Sequence, residues 1–118
     1  MKYVLLFVGT REDQDRWDKM TPEQVEASMG GAGEWFEKYT RAGKIVGGEQ
    51  LQGYKDVTTV RSDSGKRVVT DGPFIESKEV IGGFAIVDVE GLGEAQEMAK
   101  AWPGGPVEIW PAVQRSGA

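Results

Sequence analysis

Hydrophobic and polar positions along the chain predict six strands and two helices. Tyr3 to Val8 is an unbroken apolar run of aromatic, Leu and Val residues, as expected of a strand covered on both faces. Gly9 to Lys19 reads as a polar, charged connection with one Trp. Thr21-Pro22-Glu23-Gln24 then marks a helix start, with Thr as N-cap, Pro at the first helical position and Gln three residues after the cap. Val25, Met29, Ala32, Phe36 and Tyr39 recur at spacings of three and four, and Gly43 after Ala42 suits a left-handed terminator. Gly30, Gly31 and Gly33 each weaken that helix by roughly 1 kcal/mol relative to Ala, which predicts a close backbone approach or a break.

Ile45 to Leu51 carries the next strand, interrupted by Gly47-Gly48. Val57 to Arg61 and Arg67 to Thr70 flank the turn-forming Ser62-Asp63-Ser64-Gly65-Lys66 and read as a hairpin. Val80 to Val89 is a long strand with a second glycine pair, Gly82-Gly83, and apolar residues on both alternating faces. A shorter helix follows from about Leu92 to Trp102, stopped by Pro103, and Val107 to Val113 forms the last strand. This order predicts an α+β fold: a ferredoxin-like antiparallel sheet with two helices on one face and an inserted β-hairpin. Residues 1–113 form one domain on this reading, and 114–118 a loose tail. Two helices cover only one face of such a sheet. The two-faced strands Tyr3 to Val8 and Phe84 to Val89 therefore call for a second partner, and an identical sheet, in a homodimer packed sheet to sheet, is the simplest one.

Composition narrows the chemistry. The 118 residues hold 14 Lys and Arg against 19 Asp and Glu, a net charge of −5, so binding nucleic acid through its phosphates would work against the protein's own field. With no Cys there is no disulfide, thiolate nucleophile or sulfur-bound metal; with no His the commonest general base and transition-metal ligand are absent. Any chemistry falls to carboxylates, Lys, Tyr, hydroxyls or backbone amides. Only hard, oxygen-bound ions would suit these side chains, and no carboxylate loop for Mg²⁺ or Ca²⁺ is visible. No phosphate-cradling glycine motif occurs either, so neither a metal nor a cofactor is expected. The N-terminal apolar run is too short to cross a bilayer and lacks a cleavage signal, which points to a cytoplasmic protein without a membrane partner.

The most informative stretch is Val68 to Glu79. Pro73 fixes its own φ and biases Gly72 away from helical conformations, so the direction of Asp71 is well determined beside the aromatic Phe74. Asp71 is the candidate acid or base; the competing reading is that it only caps its turn. Glu76, Lys78 and Glu79 are candidates for a charged pocket mouth, with Lys78 holding an anion and Glu76 as acid or base, or they form a solvated loop. Arg61 and Arg67 are candidate carboxylate clamps or surface partners of acids. Gly48, Gly82 and Gly83 mark either bulges or places where a ligand approaches the backbone. Trp17, Trp35, Trp102, Trp110 and Phe74 are aromatic enough to wall a pocket, whereas the helical spacing of Phe36 and Tyr39 favours the core.

Gly47-Gly48-Glu49-Gln50-Leu51, Thr58-Thr59-Val60-Arg61 and above all Thr70-Asp71-Gly72-Pro73-Phe74, followed by Glu76-Ser77-Lys78-Glu79 and Gly82-Gly83-Phe84, resemble the DGPF family of YCII-related proteins over nearly the whole chain. The resemblance implies a dimeric α/β barrel. It also implies a cleft for a small organic molecule, phenolic or anionic, and cofactor-free proton transfer of a lyase or isomerase kind. Asp71 matches the aspartate of the His and Asp pair associated with YCII-type clefts; the histidine has no counterpart here. The family's link to transcription implies the alternative, a non-enzymatic ligand-binding or accessory module acting through a protein partner, with no direct nucleic-acid contact.

Overall fold

The computed structural model describes residues 1–74 and 77–115. In chain order the elements are β1 (Lys2–Thr10), α1 (Arg11–Asp18), α2 (Pro22–Arg41), β2 (Ile45–Gln50), a 3₁₀ turn (Tyr54–Asp56), β3 (Thr58–Asp63), β4 (Lys66–Asp71), β5 (Glu79–Asp88), α3 (Leu92–Lys100) and β6 (Val107–Pro111). β2, β5, β1 and β6 form an antiparallel sheet in that order, the ferredoxin-like arrangement, and β3 and β4 pair with each other in a separate two-stranded sheet.

The expected capping box forms at Thr21 and Gln24, each side chain bonded to the other's backbone N–H, and α2 runs unbroken through its glycines. Only Gly31 meets a neighbour: a Cβ there would lie 3.2 Å from Pro103. One element departs from expectation. The segment read as a polar connection contains α1, capped by Thr10, whose hydroxyl accepts from the Asp13 N–H at 3.0 Å. No residue of α1 is buried, so its sequence carries no apolar stripe.

One face of the sheet is the core. Tyr3, Leu5 and Phe7 of β1 alternate inward with Ala85 and Val87 of β5 and pack against Trp35 of α2 and Ala95 and Met98 of α3. Phe36, Tyr39 and Trp102 extend an aromatic cluster around Phe7 and Trp35, and the Trp35 indole donates to the Met98 carbonyl at 2.9 Å. Trp35 and Trp102 are thus core residues.

The other face carries Val4, Leu6 and Val8 of β1 in register with Ile86, Phe84 and Ile81 of β5, all apolar and none of them buried. Trp110 of β6 lies beside Val4 and is 57% exposed. The smallest dimension of the molecule is 19 Å, as expected of one helical layer on one sheet. Its radius of gyration is 16.4 Å, against about 13.5 Å for a compact chain of this length. The β3–β4 hairpin is an arm with its own small sheet, apart from the four-stranded one. The arm turns at Ser64-Gly65, both with positive φ as a two-residue hairpin loop requires.

Both glycine pairs sit at bulges. Register shifts between Ile45 and Gly47, and at Gly82, where Phe7 pairs with Gly83 and Val8 with Ile81. Gly48 has φ +143°, and a Cβ there would press on the Phe84 carbonyl oxygen and lie 2.9 Å from the Ala85 Cα. Gly83 similarly faces the Glu49 carbonyl oxygen at 3.0 Å. These glycines let β2 and β5 approach each other.

Candidate functional site

The Gly82 bulge re-aims the start of β5 and leaves the Gly82 carbonyl to accept the Leu51 N–H at 2.9 Å. This brings Val80, Ile81 and Leu51 to one end of the sheet, where they wall a cleft of about 460 Å³ with Val57 and Pro73 from the base of the arm. Tyr54 of the 3₁₀ turn and Arg11, the first residue of α1, complete it, with Gln52, Asp56 and Glu79 as its other polar lining. That volume lies within the range typical of small-ligand sites, about 300–1,000 Å³.

Tyr54 is held from two sides. Its backbone N–H donates to the Gln14 side chain at 2.7 Å, and its hydroxyl donates to Asp15 at 2.9 Å. Lys55 Nζ lies 3.1 Å from Asp15 and 3.4 Å from Asp18. The Arg11 guanidinium sits over the Tyr54 ring, 4.7 Å from its centre, while the Arg11 N–H donates to the Lys78 carbonyl at 2.8 Å. α1 thus clamps the 3₁₀ turn and sets both Tyr54 and Arg11.

The Lys55 ammonium, and after it the Tyr54 hydroxyl, hold the Asp15 carboxyl below the usual carboxylate range. In return Asp15 pushes the Tyr54 phenol up, and Asp15 followed by Asp18 pushes Lys55 up. A depressed carboxyl stabilises the fold above its unfolded pKa and loses that contribution as pH falls through the folded value. Raised Tyr54 and Lys55 contribute below their unfolded values and lose it as pH rises through the folded ones. The clamp is therefore intact from about pH 4 to about pH 10. Asp15→Asn is expected to let Tyr54 ionise at lower pH, seen as a shifted phenolate absorbance in an ultraviolet titration against wild type; an unchanged curve contradicts the clamp.

Asp71 ends β4 opposite Thr58 and is exposed, and its carboxylate has no hydrogen-bond partner among the described residues. The turn after it is fixed by other groups: the Gly72 N–H donates to the Val57 carbonyl at 2.7 Å, the Thr59 hydroxyl donates to the Gly72 carbonyl at 2.6 Å, and Gly72 has φ +98°. Pro73, two residues on, reaches the cleft wall, whereas Phe74 is 70% exposed. Arg61 is three residues along β3 from Thr58, which places it on the opposite face of the arm from Asp71. Lys78 lines a second depression of about 520 Å³, with Thr10, Arg11, Glu12 and Ser77. Gly48, Gly82 and Gly83 lie at the bulged pairings of β5 with β1 and β2 and do not line the cleft, and Glu76 is outside the described residues.

Arg11, Tyr54 and Val57 did not stand out in the sequence. A signal for Arg11 exists: Thr10-Arg11-Glu12-Asp13 has the spacing of a helix cap, and Asp13 is bonded to Thr10 as that pattern requires.

The YCII-related domain model matches residues 1–113. A protein of Rhizobium meliloti (strain 1021), described as uncharacterised, is 31% identical over 100 residues, covering 85% of this chain and 78% of its own. The chain belongs to the YCII-related domain family. No helix among the described residues is long and apolar enough to cross a membrane.

Proposed function

We propose that this protein binds a small organic molecule in the cleft between α1, the 3₁₀ turn, the start of β5 and the base of the arm, in a homodimer packed through the open sheet face. The observation that carries the binding reading is the cleft itself: apolar walls from Leu51, Val57, Pro73, Val80 and Ile81 converge on a clamped Tyr54 and one arginine. The homodimer rests on Val4, Leu6, Val8, Phe84 and Ile86, an apolar set with no helical layer of its own. Ile81, opposite Val8, belongs both to that face and to the cleft wall, so a second sheet laid there would run up to the cleft.

A second reading gives Asp71 a proton-transfer role on the bound molecule. Its support is that Asp71 lies two residues, or at most about 7 Å of chain, from Pro73 in the cleft wall. Residues 1–113 act as the unit in both readings.

Phenol, hydroquinone and phenylacetate are suitable probes. Each that binds raises the thermal midpoint of the wild type in proportion to its affinity. Val57→Trp, which fills the cleft from a position 38% exposed, is expected to abolish that rise without lowering the midpoint of the free protein. An equal rise in Val57→Trp would move the binding site elsewhere. Asp71→Asn leaves binding intact; a turnover that it removed would establish the second reading.

A further inference from the structure

We infer that the cleft is built for a monoanion with an apolar body, a small aromatic or aliphatic monocarboxylate, whose head group is taken by Arg11. This rests on the cleft reading above and names the ligand class and the residue that selects it.

Arg11 has a cost that its local structure does not explain. It occupies the first position of α1, where a cation opposes the helix dipole, and Glu12 and Asp13 follow as the acidic residues that such a position favours. Its Nε–H is shut off from solvent and has no acceptor among the described residues. A buried donor on a charged group is costly to leave unpaired. The guanidinium carbon lies 4.7 Å from the centre of the Tyr54 ring, whose own hydroxyl is committed to Asp15, so the tyrosine anchors the guanidinium without supplying an acceptor. The two terminal Nη groups of that guanidinium, on a residue that lines the apolar cleft, present N–H donors that match a carboxylate, which accepts two parallel hydrogen bonds.

The cleft's charges differ in exposure. Arg11 is half-buried, whereas Asp56 and Glu79, its two carboxylates, are exposed. Water screens those two, so they do not cancel Arg11. They repel additional negative charge. The arrangement admits one anionic group, its head at Arg11, with the ligand's body against Leu51, Val57 and Ile81, and it disfavours dianions such as phosphate esters.

Calorimetric titration with phenylacetate, the isosteric neutral phenylacetamide and phenylphosphonate tests this. Wild type is expected to bind phenylacetate about tenfold or more tightly than phenylacetamide, the gain of a charge-assisted pair over a neutral one. Phenylphosphonate, largely dianionic at alkaline pH, is expected to bind more weakly there than phenylacetate. Arg11→Met should equalise acid and amide, and Arg11→Lys should retain part of the preference, charge without the fork. Circular dichroism confirms that both variants fold; Arg11→Met removes a cation from the helix N-terminus and so does not weaken α1. If acid and amide bind wild type equally and Val57→Trp abolishes both, the cleft reading stands and the monoanion inference falls. A preference that survives Arg11→Met, or tighter binding of phenylphosphonate, also overturns it. If no compound binds wild type, both fall together.

Discussion

Leu6→Asp is expected to turn the proposed homodimer into a folded monomer. Leu6 lies mid-strand in β1, in register with Phe84 on one side and Glu108 on the other, on the face that no helix covers. In the monomer the new carboxylate points toward water and costs little. In a sheet-to-sheet dimer it would be buried against a second apolar sheet without a partner, and that penalty weakens association by about 100-fold or more. Light scattering coupled to size exclusion reads the outcome directly. Wild type should elute at twice the 12.9 kDa of one chain and Leu6→Asp at that single-chain mass, with matching circular dichroism. Two equal masses, whichever mass it is, would show that this face does not hold the partner.

Gly48→Ala is expected to be among the most damaging single substitutions in the chain. At φ +143° an L-residue is strained, and its Cβ would be driven into the Phe84 carbonyl and the Ala85 Cα, which are backbone atoms of the neighbouring strand and have no freedom to move aside. Separating β2 from β5 would also disturb Ala85 and Val87, both fully buried. A loss of about 3 kcal/mol or more follows, or about 10 °C or more in thermal midpoint. Gly30→Ala is the control. Gly30 lies inside α2 with open space around it, so the same change should raise stability by roughly 0.5–1 kcal/mol. Equal responses at the two positions would contradict the close approach of β2 and β5.

Most of the fold was legible in the sequence wherever a local signal and a packing signal agreed. Tyr3 to Val8 announced a strand with two apolar faces, Thr21 to Gln24 a capped helix, and Ser62 to Lys66 a hairpin loop, which turns at Ser64-Gly65. α1 escaped because it buries nothing; without an apolar stripe, a short helix of Glu, Asp, Gln and Arg looks like a charged loop. Gly48, Gly82 and Gly83 were legible as special positions, but a glycine in a strand looks the same whether a ligand or another strand approaches it.

The cleft was the least legible part. Arg11, Tyr54, Val57 and Val80 come together only through tertiary structure, and none belongs to a recognisable motif with the others. Asp71-Gly72-Pro73-Phe74 drew attention to a turn that reaches the cleft, yet within it Pro73 forms the wall while Phe74 is exposed and Asp71 stands at the base of the arm, outside the cleft lining. Periodicity reports which face of an element is buried; it does not report which loops meet at the end of a sheet.

We propose the cleft as the place where this protein meets its ligand. The most direct measurement is an amide map, recording backbone N–H resonances of the ¹⁵N-labelled protein during titration with phenylacetate. Perturbations concentrated at Arg11, Gly53, Tyr54 and Val80 are the predicted result, with the far strand β6 unmoved. Perturbations elsewhere, with these four unchanged at saturation, would contradict binding in the cleft.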